Sequence, residues 1–281
     1  MQARVLTLLL SLFVIGLPAQ IVSPPPSPLL KMETTVGLTD VSLEYSRPGM
    51  RDRNIFGADG LVPYGEIWRT GANQATKITF SDAVKVAGKE IPAGSYAILT
   101  KPMQGLWEVM FFPYESGNWT SYTEQTPDVT VSGKSGMLSE AVETFTINFT
   151  NYTLDGADLV MMWDKTQVTL PVETNVKESV MATIDRVMAG PNMNDYFQAA
   201  TFLNESGLNN EKALEYIRKA HEMAGENARF WMVRREAIIL SDLGKKKEAI
   251  EAAKRSKMLA EEAGNMDYVR MNEKSIEEWS M

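Results

Sequence analysis

The stretch Phe145-Thr-Ile-Asn-Phe-Thr150 alternates an apolar with a polar residue at every step. Successive side chains of a strand point to opposite faces, so this period of two with one wet face predicts a half-buried antiparallel strand. Working outward, Val41, Leu43 and Tyr45 alternate with Ser42, Glu44 and Ser46. Ile78 and Phe80 alternate with Thr79 and Ser81, Val84 and Val86 flank Lys85, and Val168, Leu170 and Val172 repeat the pattern. Trp107 to Phe112 and Leu159 to Trp163 are continuous apolar runs, which predict strands buried on both faces. Turn residues separate the strands at Ala87-Gly88-Lys89, Pro92-Ala93-Gly94, Gln104-Gly105, Ser132-Gly133 and Asp155-Gly156. Many short strands joined in this way predict an antiparallel β-sandwich, jelly-roll-like or barrel-like, over residues 32–173.

The chain changes character near Asn175. Residues from there to the end hold 16 of the 28 Lys and Arg and 18 of the 36 Asp and Glu, in a shorter stretch rich in Ala and Met. That composition predicts solvated amphipathic helices over residues 174–281, so the fold class is an α+β chain of two domains. The segments Ala213-Leu-Glu-Tyr-Ile-Arg-Lys-Ala220 and Ala249-Ile-Glu-Ala-Ala-Lys-Arg-Ser256 match at an offset of 36 residues. A tetratricopeptide helix pair repeats every 34 or so, and Gly207 and Gly244 fall where its turn belongs. Stacked helix pairs present extended surfaces, which predicts a protein partner for this half.

The beginning of the chain reads as an address. Arg4 precedes an apolar run from Val5 to Leu17, and Leu17-Pro18-Ala19 offers a small residue before Gln20. This predicts a signal peptide over residues 1–19, no membrane span once it is cleaved, and a secreted or periplasmic location. No cysteine follows the run, which excludes a bacterial lipid anchor. Ser23-Pro-Pro-Pro-Ser-Pro28 reads as a stiff spacer within a Pro-rich linker over residues 20–31.

Composition removes most chemistries. The chain of 281 residues has no Cys, one His and a net charge of −8. Disulfides, thiolate nucleophiles and multi-histidine metal sites are excluded, and no metal or cofactor is expected. The acidic balance predicts no nucleic-acid partner. Gly133-Lys134-Ser135 resembles the end of a phosphate loop, but Asp128 stands where that loop needs glycine. Asp155 and Asp158 lack the further carboxylates of a calcium loop. Asn118-Trp-Thr matches the glycosylation acceptor pattern and reads as coincidence. His221, beside Glu222, reads as a histidine on a helix surface.

One polar feature stands out. After the leader, the β half has four arginines, Arg47, Arg51, Arg53 and Arg69, all in one Gly- and Pro-punctuated window; its other cations are lysines. A planar guanidinium binds carboxylate or phosphate in a bidentate way and stacks on aromatic rings. A long loop on a rigid sheet is also where binding residues concentrate. The ligand-binding candidates are Tyr45, Arg47, Glu66, Trp68, Arg69 and Asn73, for a small anionic or glycan ligand, with Arg69 as the principal contact. The bland reading is that the arginines staple the loop through Asp52, Asp59, Glu66 and backbone carbonyls, which gives a structural envelope protein. A third reading pairs Glu66 with Asp52 or Asp59 as acid and base of a hydrolase acting on envelope glycans.

The strings Tyr45-Ser-Arg-Pro-Gly-Met-Arg-Asp-Arg-Asn-Ile-Phe-Gly57 and Leu61-Val-Pro-Tyr-Gly-Glu-Ile-Trp-Arg-Thr-Gly-Ala-Asn73 resemble the signature of a bacterial domain-of-unknown-function family, number twenty-nine eleven. Ala75-Thr-Lys-Ile-Thr-Phe80, Ile91-Pro-Ala-Gly-Ser-Tyr96 and Glu143-Thr-Phe145 add to the resemblance, which covers roughly residues 24 to 173. It implies a secreted protein of Bacteroidetes-type bacteria, some of whose relatives carry helical repeats after the domain. It implies no activity.

Overall fold

The computed structural model describes residues 23–188 and 190–281. The leader reading falls on residues outside that range. Nine strands form the first half: β1 Leu29–Val36, β2 Thr39–Ser46, β3 Ala72–Phe80, β4 Val84–Val86, β5 Lys89–Ile91, β6 Gly94–Met103, β7 Leu106–Pro113, β8 Val129–Thr150 and β9 Gly156–Thr174. They pair antiparallel in the order β1-β2-β3-β6-β7-β8-β9-β4-β5. β1 begins inside the stretch read as linker.

Strand β8 makes the sandwich. Its first residues, Val129 to Lys134, pair with β7, and Ser135 to Thr150 pair with β9. The strand thus passes from one layer to the other, and its register with β9 shifts on both sides of the Val142–Asp164 pair. The chain running on from β2 closes a corner: Met50 N–H donates to Glu143 O at 2.8 Å and Phe145 N–H to Pro48 O at 2.9 Å. The inward residues of both layers meet in one core that includes Leu43, Ile78, Ile98, Phe111, Ile147 and Leu170. At its centre, Trp68 stacks on Trp163 with centroids 5.6 Å apart and meets Phe145 edge-on at 4.9 Å. Such pairs contribute about 0.5–1.5 kcal/mol each beyond their buried area.

The outward face of β3, β6 and β7 is also apolar. Ala75, Ala97, Leu99, Met110 and Phe112 alternate with the core residues and are covered by Tyr122, Tyr114 and Trp119 of the segment 114–128. A face of this kind would otherwise be wet, so that segment forms a second, smaller core.

Six helices follow: α1 Val176–Val187, α2 Met193–Glu205, α3 Asn210–Ala224, α4 Phe230–Asp242, α5 Lys246–Glu262 and α6 Met266–Ser280. α3 and α5 start 36 residues apart, at 210 and 246, as do α4 and α6, at 230 and 266. α2 with α3, and α4 with α5, form hairpins turned by Gly207 and Gly244, whose φ values of 64° and 72° favour glycine. Ala213 and Ala249, fully buried, let the paired helices approach closely. Consecutive hairpins are tied by α4: Arg235 donates to Asn204 of α2 at 3.1 Å, and Arg234 to Asn272 of α6 at 3.0 Å. No described helix is long and apolar enough to cross a membrane.

Candidate functional site

The six residues singled out from the sequence do not converge on one cavity. Tyr45 and Trp68 belong to the core, 2% and 8% exposed. The Tyr45 hydroxyl donates to Ile147 O at 3.1 Å and accepts from Ile147 N–H at 2.8 Å, which ties β2 to β8 across the sandwich. Burial pushes its phenol above the ordinary value, against the opposing effects of the Ile147 backbone bond and the Arg47 charge.

Arg47 and Asn73 face the spacer and β8. Arg47 donates from Nη2 to Thr146 Oγ1 at 3.1 Å and from Nε to Phe145 O at 3.4 Å. Asn73 Nδ2 donates to Ser46 Oγ at 3.2 Å and to Ser27 O at 3.3 Å. Arg51 Nη2 donates to Pro26 O at 2.6 Å, and the backbone N–H of Arg47 donates to Pro28 O at 3.0 Å. Three carbonyls of the Pro-rich spacer are thus held by the loop. Proline lacks an N–H but keeps its acceptor, so a Pro-rich segment is bound through its carbonyls.

Arg53 is spent locally, on Met50 O at 2.9 Å and Gly49 O at 2.6 Å. No arginine of the window pairs with Asp52, Asp59 or Glu66; the staples run to carbonyls and a hydroxyl. Those three carboxylates are exposed. No group of three or more metal-ligating side chains occurs among the described residues.

Arg69 differs from the other three. It is half-buried, its Nε is sealed from solvent without a hydrogen-bond partner, and its guanidinium carbon lies 5.5 Å from the centre of the Trp119 ring. It forms no side-chain hydrogen bond or ion pair among the described residues. Its neighbour Thr70 is fully buried at a φ of 57°, a left-handed conformation that a β-branched residue rarely takes. Thr70 is held there by Thr76, whose hydroxyl donates to Thr70 O at 2.5 Å, and by its own bond to Thr100 Oγ1 at 3.1 Å. Arg51, Asp52 and Asn73 are left-handed too, so four of the seven such non-glycine residues among the described ones fall between Arg51 and Asn73. Strain persists only where the surroundings over-determine it, and it gathers at functional sites.

Trp119 is the residue that sequence reasoning missed. Its only signal was an aromatic inside the acceptor-like triplet, far along the chain from the arginines. Lys77 lies 5.0 Å from the centre of the Tyr114 ring, so two cation–aromatic contacts fasten the covering segment 114–128.

In the helical half, His221 is not at the surface. It is 13% exposed, with Nδ1 2.9 Å from Glu236 Oε2 on α4 and its buried Nε2 without a partner. Burial raises the Glu236 carboxyl, but the bonds and charges of His221 and Arg218 outweigh it and hold the group below the ordinary carboxylate value.

Neither a curated protein nor a solved structure matches this chain. One family profile does, over residues 27–172, which takes in every strand but the last residues of β9, together with the whole arginine loop. With more than half of its length matched, the chain belongs to the family described as protein of unknown function, DUF2911.

Proposed function

We propose that this protein is a secreted or periplasmic binding and scaffolding module. In this reading its β half takes a small anionic ligand, acidic glycans included, and its tetratricopeptide-like helices hold a protein partner. The observation that carries the ligand part is Arg69. Three arginines of the loop are consumed by carbonyls and a hydroxyl, whereas Arg69 keeps its donors and lies beside an aromatic ring. A half-buried cation without a counter-charge has lost hydration that an anion would restore. The repeating hairpins support the partner part, because such stacks present extended surfaces.

The test is the melting temperature of the full chain with sulfate, phosphate and galacturonate, against the Arg69→Ala variant. The reading expects a saturable upward shift that the variant loses while keeping its ligand-free melting within a few degrees. An equal shift in both proteins, or none in either, sinks it.

A second reading, the structural envelope protein, is favoured by the staples themselves, since the loop fastens the spacer to the domain. The hydrolase reading draws no support, because Glu66, Asp52 and Asp59 are all exposed.

A further inference from the structure

The geometry points to a second ligand site in the β half, a saccharide-binding cleft on the other side of the arginine loop. A cleft of about 330 Å3 is walled by Phe56 and Tyr64 of the loop, Trp107 of β7, Gln104 of the β6–β7 turn, and Asp164 and Lys165 of β9. Small-molecule sites run from roughly 300 to 1,000 Å3, so this one has room for a ring or the end of a short chain.

Part of its wall is aromatic, beside Met103 and the exposed Met137. Trp107 is 2% exposed and meets Phe56 edge-on at 5.1 Å, and both belong to the central aromatic core. Tyr64, 42% exposed, adds a ring that water reaches. The exposed Tyr64 ring suits the apolar C–H side of a sugar ring, while the sugar's hydroxyls need donors and acceptors around the edge. The Gln104 amide offers both, and the Asp164 carboxylate accepts.

Asp164 reaches the cleft through a backbone irregularity. It has a φ of 51° in mid-strand, and the β8–β9 register shifts on both sides of it. Bulges re-aim side chains and recur beside functional sites. Asp164 and Lys165 bring opposite charges, so the cleft carries no surplus. It therefore favours a neutral, hydroxyl-rich ligand over an anion. The site shares no residue with Arg69 and stands even if the anion reading fails.

The experiment titrates the full chain with the methyl glycosides of glucose, galactose and N-acetylglucosamine and follows binding by isothermal titration calorimetry. At least one sugar is expected to give a saturable change. Asp164→Asn should weaken it about tenfold or more, the loss expected for a hydrogen bond to a charged group, and Tyr64→Ala should weaken it through loss of the stacking ring. Asparagine tolerates the left-handed backbone, so the first variant keeps the fold even if the second does not. Arg69→Ala should leave sugar binding unchanged. No saturable response to any glycoside, or equal affinity in the wild type and Asp164→Asn, overturns the proposal.

Discussion

At the scale of single residues, the arginine loop is a set of assignments. Each guanidinium has five donors, and what it does depends on which acceptors the fold brings near. The residue types were legible in the sequence, as was their confinement to one loop. Their partners were not, because Arg47 bonds to residues 98 and 99 positions away and Arg51 to a proline carbonyl. Asp52, Asp59 and Glu66 stand nearer in the chain, yet none pairs with an arginine of the loop among the described residues. Tyr45 teaches the same lesson. It reads as one more apolar position of β2, yet its hydroxyl carries both backbone groups of Ile147. Removing it in Tyr45→Phe orphans a buried N–H, and the expected cost is about 1–3 kcal/mol by urea denaturation. The raised phenol pKa fixes a sign as well. Its proton is bound more tightly in the folded state, so its stabilising effect is full below the ordinary tyrosine value of 10.0 and is lost as pH climbs through the folded value. Alkaline denaturation followed at stepped pH should show that loss, and Tyr45→Phe should show less of it.

At the scale of elements, the strands with period two were readable and the irregular pieces were not. β8 hides its passage between layers because Ser135 to Glu140 carries no clean alternation. The segment 114–128 reads as a plain loop, although it covers a whole apolar face. The arginine loop itself is tightly wound. A Cβ on Gly60 would sit 2.5 Å from Ile55 O and 2.9 Å from Phe56 C, both backbone atoms that cannot swing aside. Gly60→Ala should therefore destabilise by about 1–3 kcal/mol and open the loop to limited proteolysis. The helices give a parallel case. Ala249→Val puts two extra carbons where α5 packs against α4, and a loss of similar size is expected in thermal melting. His221 was misplaced from sequence because its neighbour in the chain, Glu222, hid the partner that α4 supplies, Glu236. Since the Glu236 carboxyl is held below its ordinary value, its contribution is present above about pH 4.5 and is lost on acidification. Glu236→Gln should flatten the acid limb of helical unfolding.

At the scale of the molecule, the change in composition near Asn175 marks the passage from β9, ending at Thr174, to α1, beginning at Val176. At this junction Val176 is buried, and Lys177 pairs with Asp155 at 3.1 Å. A chain ended after Ser179 keeps both, and it should retain a cooperative β-type unfolding transition measured by circular dichroism. The two halves of the intact chain should then melt in two separable steps. In the reading proposed above, the Arg69 guanidinium is free for a ligand while Arg47, Arg51 and Arg53 fasten the loop and the spacer. The most direct measurement is the arginine Nε–H spectrum of the full chain, assigned through arginine substitutions and titrated with sulfate and galacturonate. The Arg69 resonance is expected to move to saturation while those of Arg47, Arg51 and Arg53 stay in place. A silent Arg69, or movement of the three stapled arginines in its stead, would contradict it.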